Sequence, residues 1–333
     1  MIATYHLKIR SIKMITNIKN IQIFPNGELE NDDYHGEKFK DHVSGSQLCV
    51  IHNDCPAVLK YGEDKESAAL HFGIASHAAM LEPELFDKLF VRKIAKDDND
   101  KFLTSDAAIK SFLKAAGRTG YSTKPFFELV QLALECDENV KIFQLESILQ
   151  EYDSIGKTLV KGEDYDQILI MRKTLFNDAS NVELFKGSQF EMSIICEVEI
   201  EGNWHKVKIR PDIITKNCEV PDYKTTRDMN PEKFGNQAHN AGYWLKQAFV
   251  CDVLRAAYNQ PFKAGLLAQG KSSPFITQLY WMTEQQLMIG REQYQFALKY
   301  HKNCVDSEQW PAYFDGATEL VTPPYLAKRY GFE

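Results

Sequence analysis

The sequence has no Cys-x-x-Cys pair: its seven cysteines stand at 49, 55, 136, 196, 218, 251 and 304. That scatter excludes zinc-ribbon and iron–sulfur spacings. An odd, unpaired set of thiols fits a reducing compartment, so a cytoplasmic location is expected. Long apolar runs are also missing. None approaches the roughly 18 residues a membrane helix needs. The opening residues Met1 to Arg10 hold no unbroken apolar stretch of the secretory kind, and Met14 could serve as an alternative start. Neither export nor a membrane role is expected. Positive charge is short too, with 39 Lys and Arg against 46 Asp and Glu, a net charge of −7. An acidic total argues against a nucleic-acid partner. Binding, however, follows the local field and not the sum.

What is present is the composition of a soluble globular protein, 44% hydrophobic and 26% charged. The length of 333 residues allows one large domain or two small ones. Residues 1–33 read as an irregular or strand-like lead-in with a turn at Pro25-Asn26-Gly27. Residues 34–186 read as mainly helical. Ser44 and Gln47 have capping-box spacing, and Ser67 to Met80 is a helix rich in small residues. Further helices are expected over 104–118, 125–152 and 165–176. At Gly187 the pattern changes to period two. Ile194, Cys196, Val198 and Ile200 alternate with mostly acidic neighbours, and Gly202-Asn203 turns a hairpin. A third strand covers Cys218 to Lys224, and Pro221 within it suggests an edge or a bulge. Asn230-Pro231 opens a helix expected to run past Val253. Two more strands, a helix capped by Thr283 and an irregular tail over 304–333 complete the chain. Residues 187–303 thus form an αβ core, and 34–333 read as a single domain.

Arg210-Pro211-Asp212 and Asp222-Tyr223-Lys224 carry the chemistry. In a strand, residues i and i+2 share a face, so Asp222 and Lys224 project together and Tyr223 turns away. A short turn at Thr215-Lys216-Asn217 would bring Asp212 beside Asp222. Paired carboxylates suit a hard divalent cation such as magnesium, which could activate water against a phosphodiester. Asp-x-Lys alone is common at solvated strand ends. His77, one turn after Gly73, reads by itself as a hydrogen-bonded core histidine. Between Gly202 and Lys233 stand Lys206, Lys208, Arg210, Lys216, Lys224, Arg227 and Lys233. With Asp212 and Asp222 committed to metal, that stretch is expected to be positive.

In order, Gly73-x-x-x-His77, Glu191, Arg210-Pro211-Asp212, Asp222-Tyr223-Lys224-Thr225-Thr226 and Tyr243-x-x-x-Gln247-Ala248-Phe249 resemble the motif set of RecE-type exonucleases (exonuclease VIII) of the PD-(D/E)xK nuclease superfamily. Tyr34-His35, Ser44-Gly45-Ser46, Cys55-Pro56-Ala57, Leu81-Glu82-Pro83 and Trp310-Pro311-x-Tyr313 extend the likeness over roughly 34–313. The resemblance implies an α/β (α+β) fold with a mixed central sheet flanked by helices. It implies that Asp212 and Asp222 ligate Mg2+ or Mn2+ with His77 and the Tyr223 backbone carbonyl. Lys224 would be the catalytic lysine, Glu191 would complete the acidic cluster, and Gln247 would orient Lys224 or the DNA backbone. Arg210, Arg227 and Tyr243 become candidate DNA contacts. Relatives often carry tyrosine four positions after the glutamine; here Cys251 stands there, and Tyr243 could substitute from one turn earlier.

The implied reaction degrades double-stranded DNA from its ends, 5′ to 3′, leaving 3′ single strands for recombination in a bacterial or phage-infected cell. The implied partners are duplex ends, a RecT-like annealing protein and further copies of the chain in a ring. Two other readings share these residues. One is a PD-(D/E)xK endonuclease or resolvase, including a Cas4-like form that the missing cysteine cluster weakens. The other is a DNA-end-binding protein without catalysis, against which Asp212, Asp222 and Lys224 argue.

Overall fold

The computed structural model describes residues 14–63 and 66–332. The first thirteen residues of the lead-in fall outside the described residues. Strand β1 (Ile18–Phe24) leads to helix α1 (Asn31–His35), strand β2 (Val43–Ser44) and helices α2 (Gly45–Asn53), α3 (Pro56–Tyr61), α4 (Ala68–Leu81) and α5 (Pro83–Leu89). The helical part continues through β3 (Phe90–Arg92), α6 (Asp106–Ala115), α7 (Phe126–Cys136), α8 (Phe143–Asp153), β4 (Thr158–Val160), α9 (Gly162–Asn177) and α10 (Ala179–Phe185). The core then runs β5 (Gln189–Phe190), β6 (Ser193–Ile200), β7 (Asn203–Ile209), β8 (Ile213–Ile214), β9 (Glu219–Thr226), α11 (Pro231–Asn240), α12 (Tyr243–Tyr258), β10 (Lys263–Gly270), β11 (Thr277–Trp281) and α13 (Glu284–Ser307). A short α14 (Pro324–Arg329) lies in the tail.

Period-two patterning produces the β6–β7 hairpin, with Ile200 opposite Asn203 at its turn. The strand-like lead-in joins this sheet. β1 pairs antiparallel with β6, giving the order β1-β6-β7-β2. A second sheet has the order β11-β10-β9, in which β9 and β10 run parallel. The parallel step needs a crossover, supplied by α11 and α12. β9 is therefore an edge strand, where its proline is tolerated. The short antiparallel pair β5–β8, which flanks the β6–β7 hairpin in sequence, supplies the corner at the site. The fold is the mixed α/β arrangement expected.

The main core packs α12, α13 and α2 on the β6–β7 hairpin, around Leu48, Cys196, Val207, Leu245, Phe249 and Tyr294. Gly290 lets α13 meet α12 closely: a Cβ there would stand 2.2 Å from the Trp244 carbonyl oxygen. A second core joins α4 and α9 to β9 and β10 through Phe72, Met171, Tyr223 and Leu267. Helices α6 and α7 and the start of α8 close a separate small core around Ile109, Leu113, Leu129 and Ile142. Capping follows the sequence. Ser44 and Gln47 form the reciprocal box, as do Thr283 and Gln286, and Asn230 accepts from the Glu232 and Lys233 amides.

Two expected helices are broken. The one over 125–152 divides at Asp137, whose carboxylate takes the Asn139 amide at 2.9 Å and ends the turn. The one from Asn230 divides at Gly242, which adopts φ +73° and packs on Cys49, where a Cβ would stand 2.7 Å from Sγ. Only glycine satisfies both demands easily. The break makes Tyr243 the first residue of a new helix that points toward the strands.

Candidate active site

Asp212 occupies the corner between β7 and β8. Because β5 pairs with β8, Phe190 opposite Ile213, the next residue, Glu191, falls beside Asp212. Its amide donates to the Asp212 carbonyl at 3.3 Å. Glu191 has φ +49°, a left-handed conformation that costs a non-glycine residue about 1–2 kcal/mol. Such strain collects at functional sites. On the edge of β9, the Tyr223 amide donates to Asp212 Oδ2 at 2.8 Å. That bond fixes the Asp212 carboxylate against the neighbouring strand.

Asp222 and Lys224 project together, as strand periodicity requires. Lys224 Nζ forms a close ion pair with Asp222 Oδ2 and lies 3.6 Å from Asp212 Oδ2. It also donates to the Tyr223 carbonyl at 2.9 Å. The Tyr223 ring turns the other way. Its hydroxyl donates to Gln269 Oε1 at 2.7 Å, and Gln269 Nε2 donates to the Met171 carbonyl at 2.9 Å, tying β9 to α9.

His77 does not stay in the helical core. Its Nε2 lies 3.2 Å from Asp212 Oδ2 and 3.5 Å from Glu191 Oε1. One ligand atom from each of His77, Glu191 and Asp212 lies within 4.8 Å of the others. Glu191 Oε1 is buried without a hydrogen-bond partner, an acceptor without a donor of the kind a cation relieves. Carboxylate oxygens with one imidazole suit Mg2+ or, better with the nitrogen, Mn2+. The residues fit the group that the sequence implied.

The electrostatics follow from burial against charge. Burial would raise the Asp212 pKa, but Lys224, His77 and Lys246 outweigh it and hold it well below the usual carboxylate range. Burial opposes a charged His77, yet Asp212 and Glu191 leave its pKa above the ordinary value. Glu191 gains less from its neighbours, and desolvation pushes it up to about 8.

Other expected residues fall differently. Gln247 is buried with Oε1 unpartnered, and no hydrogen bond joins it to Lys224 among the described residues. Cys251 is buried in the main core and does not reach the site. Arg210 borders the cleft, but its donors are engaged. Nε donates to Ser193 Oγ at 2.7 Å, Nη2 to the Leu29 carbonyl at 3.1 Å and Nη1 to Asn31, and the guanidinium stacks 4.1 Å from the Tyr34 ring centre. It braces the lead-in segment against the hairpin. Tyr243 stands at the site, its ring centre 5.4 Å from Lys224 Nζ. Arg227 lies off the lining of the cleft and has no ion-pair partner among the described residues. The positive stretch expected over 202–233 is largely neutralised. Lys208 is buried and donates to the Tyr34 and Phe39 carbonyls. Lys206, Lys216 and Lys233 pair with Asp41, Glu183 and Asp228.

Sequence reasoning missed Lys246, whose Nζ stands 3.0 Å from Asp222 Oδ1. The signal was its i,i+3 spacing from Tyr243, which puts both on one helical face.

His77, Glu191, Lys224 and Tyr243 line a cleft of about 1220 Å³ between residues 26–31, α4 and the β9 edge. Gly73 borders it, and a Cβ there would meet nothing within 4 Å.

The fold and this site define a class, the PD-(D/E)xK superfamily. A family model, the PDDEXK-like domain of unknown function (DUF3799), matches residues 53–321, and the chain belongs to that family. A crystal structure titled "Putative exonuclease" from Eubacterium rectale is similar at 13% identity and TM-score 0.53, over 90% of this chain and 97% of that one. It supports the fold. The crystal structure of SSO0001 matches at 14% identity over 69% of this chain and 89% of the other, with a TM-score of 0.22. No curated protein matches. Among the described residues, no helix is long and apolar enough to cross a membrane.

Glu191 offers a test of this geometry. Its raised pKa means that folding without metal must neutralise a carboxyl that is ionised in the unfolded chain. That cost begins near the unfolded value of about 4.3 and is complete near pH 8. Glu191→Gln should therefore raise Tm in EDTA, with the gain growing from pH 5 to 8, and should weaken Mn2+ binding about tenfold or more. Differential scanning fluorimetry across pH and calorimetric Mn2+ titration read both effects.

Proposed function

We propose that this chain is a metal-dependent nuclease that degrades double-stranded DNA from its ends, 5′ to 3′, leaving 3′ single strands. The observation that carries the reading is the convergence of His77 from α4, Glu191 after β5 and Asp212 at the β7–β8 corner beside Asp222 and Lys224 on β9. His77, Glu191, Asp212 and Asp222 would hold Mg2+ or Mn2+. The cation would polarise the scissile phosphate and lower the pKa of the attacking water.

Lys224 offers an ammonium next to both carboxylates, placed to offset charge on the attacked phosphate or to hold the incoming water. The Tyr223 amide and Lys224 keep Asp212 ionised and oriented. Tyr243 presents an aromatic face at the cleft for a sugar or base. Base-specific contacts are not required, because hydrolysis from an end needs only the backbone to be held. The resemblance to RecE-type proteins supports the polarity, a ring of several copies and a RecT-like annealing partner.

Digestion of linear duplexes labelled at the 5′ or the 3′ end tests the reading. Early release of the 5′ label, only with Mg2+ or Mn2+, is expected, and closed circular duplex should resist. Cutting of the closed circle would replace the exonuclease with an endonuclease. Binding of ends without label release would leave an end-binding protein.

A further inference from the structure

We infer that Lys246 is a positioning residue for Asp222: it clamps Oδ1, so that only Oδ2, the oxygen that also pairs with Lys224, is turned to the cation, and it keeps divalent-cation affinity moderate. The inference rests on the metal-dependent reading above.

Lys246 lies in the first turn of α12, where the helix dipole disfavours a cation. Its place there is not explained by helix stability. The side chain is 24% exposed and its ammonium meets Asp222 Oδ1 at 3.0 Å, while Lys224 takes Oδ2. Two ammonium groups thus hold the two oxygens of one carboxylate separately. The Oδ2 side faces Lys224, which also reaches Asp212 Oδ2 at 3.6 Å. The Oδ1 side faces away toward α12. Helix α2 confines the lysine stem, since a Cβ on Gly45 would stand 3.2 Å from Lys246 Cγ. The break at Gly242 aims this helical face at β9.

A carboxylate with one oxygen held is fixed about its last torsion. Without Lys246, Oδ1 as well as Oδ2 can turn to a cation. An ammonium beside a ligand carboxylate also repels the incoming charge. Losing Lys246 should therefore tighten cation binding and slow turnover together, whereas a generic structural defect would weaken both.

The test uses the full chain with Lys246→Met and Lys246→Arg. Mn2+ binding is measured without nucleic acid, from the paramagnetic resonance signal of free Mn2+. Turnover on linear duplex is measured at saturating metal. Lys246→Met should bind Mn2+ about tenfold more tightly and turn over about 10- to 100-fold more slowly. Lys246→Arg should stay within about threefold of the native chain in both. If Lys246→Met fails to fold by circular dichroism, Lys246→Gln takes its place. Unchanged or weaker Mn2+ binding, or unchanged turnover, overturns the inference. If the native chain binds Mn2+ but cleaves nothing, the nuclease reading falls, and the binding measurement alone still decides whether Lys246 restrains the cation.

Discussion

Asp212→Asn should lower metal-dependent cleavage of linear duplex by about three orders of magnitude or more while leaving the chain folded. Asp212 is the carboxylate on which His77, Lys224 and the Tyr223 amide converge. Its Oδ2 accepts from the Tyr223 amide at 2.8 Å, and it faces His77 Nε2 at 3.2 Å and Lys224 Nζ at 3.6 Å. Asparagine keeps an oxygen for the Tyr223 amide, so the strand contact survives. It removes the charge that a cation needs and that sets His77. Asp222→Ala and Lys224→Ala should be comparably inactive. Activity within tenfold of native in any of the three, read by label release, would exclude the assignment. Stability supplies an independent readout. The folded Asp212 pKa is depressed, so its contribution is complete above the unfolded value of about 3.9 and is lost as pH falls through the folded value. The metal-free native chain should thus be more stable than Asp212→Asn at pH 7, with the gap closing in acid.

The largest stability effect is expected away from the site, where α12 meets α13. Asp252 is buried on α12. It accepts from Arg291 Nε at 3.0 Å and from the Tyr294 hydroxyl at 2.7 Å. Arg291, whose side chain is 8% exposed, also reaches Glu284, which is 70% exposed. Asp252→Ala would strand a buried guanidinium with one solvent-facing partner and should cost about 3–5 kcal/mol. The double replacement Asp252→Leu with Arg291→Met removes both charges and should recover most of that loss. Urea unfolding midpoints of the two variants check the prediction. A single variant within about 1 kcal/mol of native would show that water reaches the pair. Because α12 carries Tyr243 and Lys246, the single variant should also reduce turnover below its unfolding transition.

Much of the local structure was legible because it depends on neighbours in the chain. The capping boxes at Ser44 and Thr283, the cap at Asn230 and the turn at Gly202 are satisfied within a few residues. Asp222 and Lys224 share a face because a strand repeats every second residue. Helix ends inside apolar stretches were not legible. Asp137 and Gly242 interrupt patterns that otherwise continue, and Gly242 does so in a packing contact with Cys49, far away in sequence. Charge was the least legible property. Lys208 counted as part of a basic face, yet it is buried on the Tyr34 and Phe39 carbonyls, and Arg210 is bound to the lead-in segment.

The sequence by itself determined the αβ core, the elements on which Asp212, Asp222 and Lys224 ride, and the pairing of the last two. Tertiary structure alone decided how closely His77 and Glu191 meet Asp212, which the motif resemblance only implied, and that Lys246 and not Gln247 contacts the acids. The reason is reach: periodicity sets which way a side chain points from its own backbone, but which groups lie within 3–4 Å of it depends on how separate elements pack.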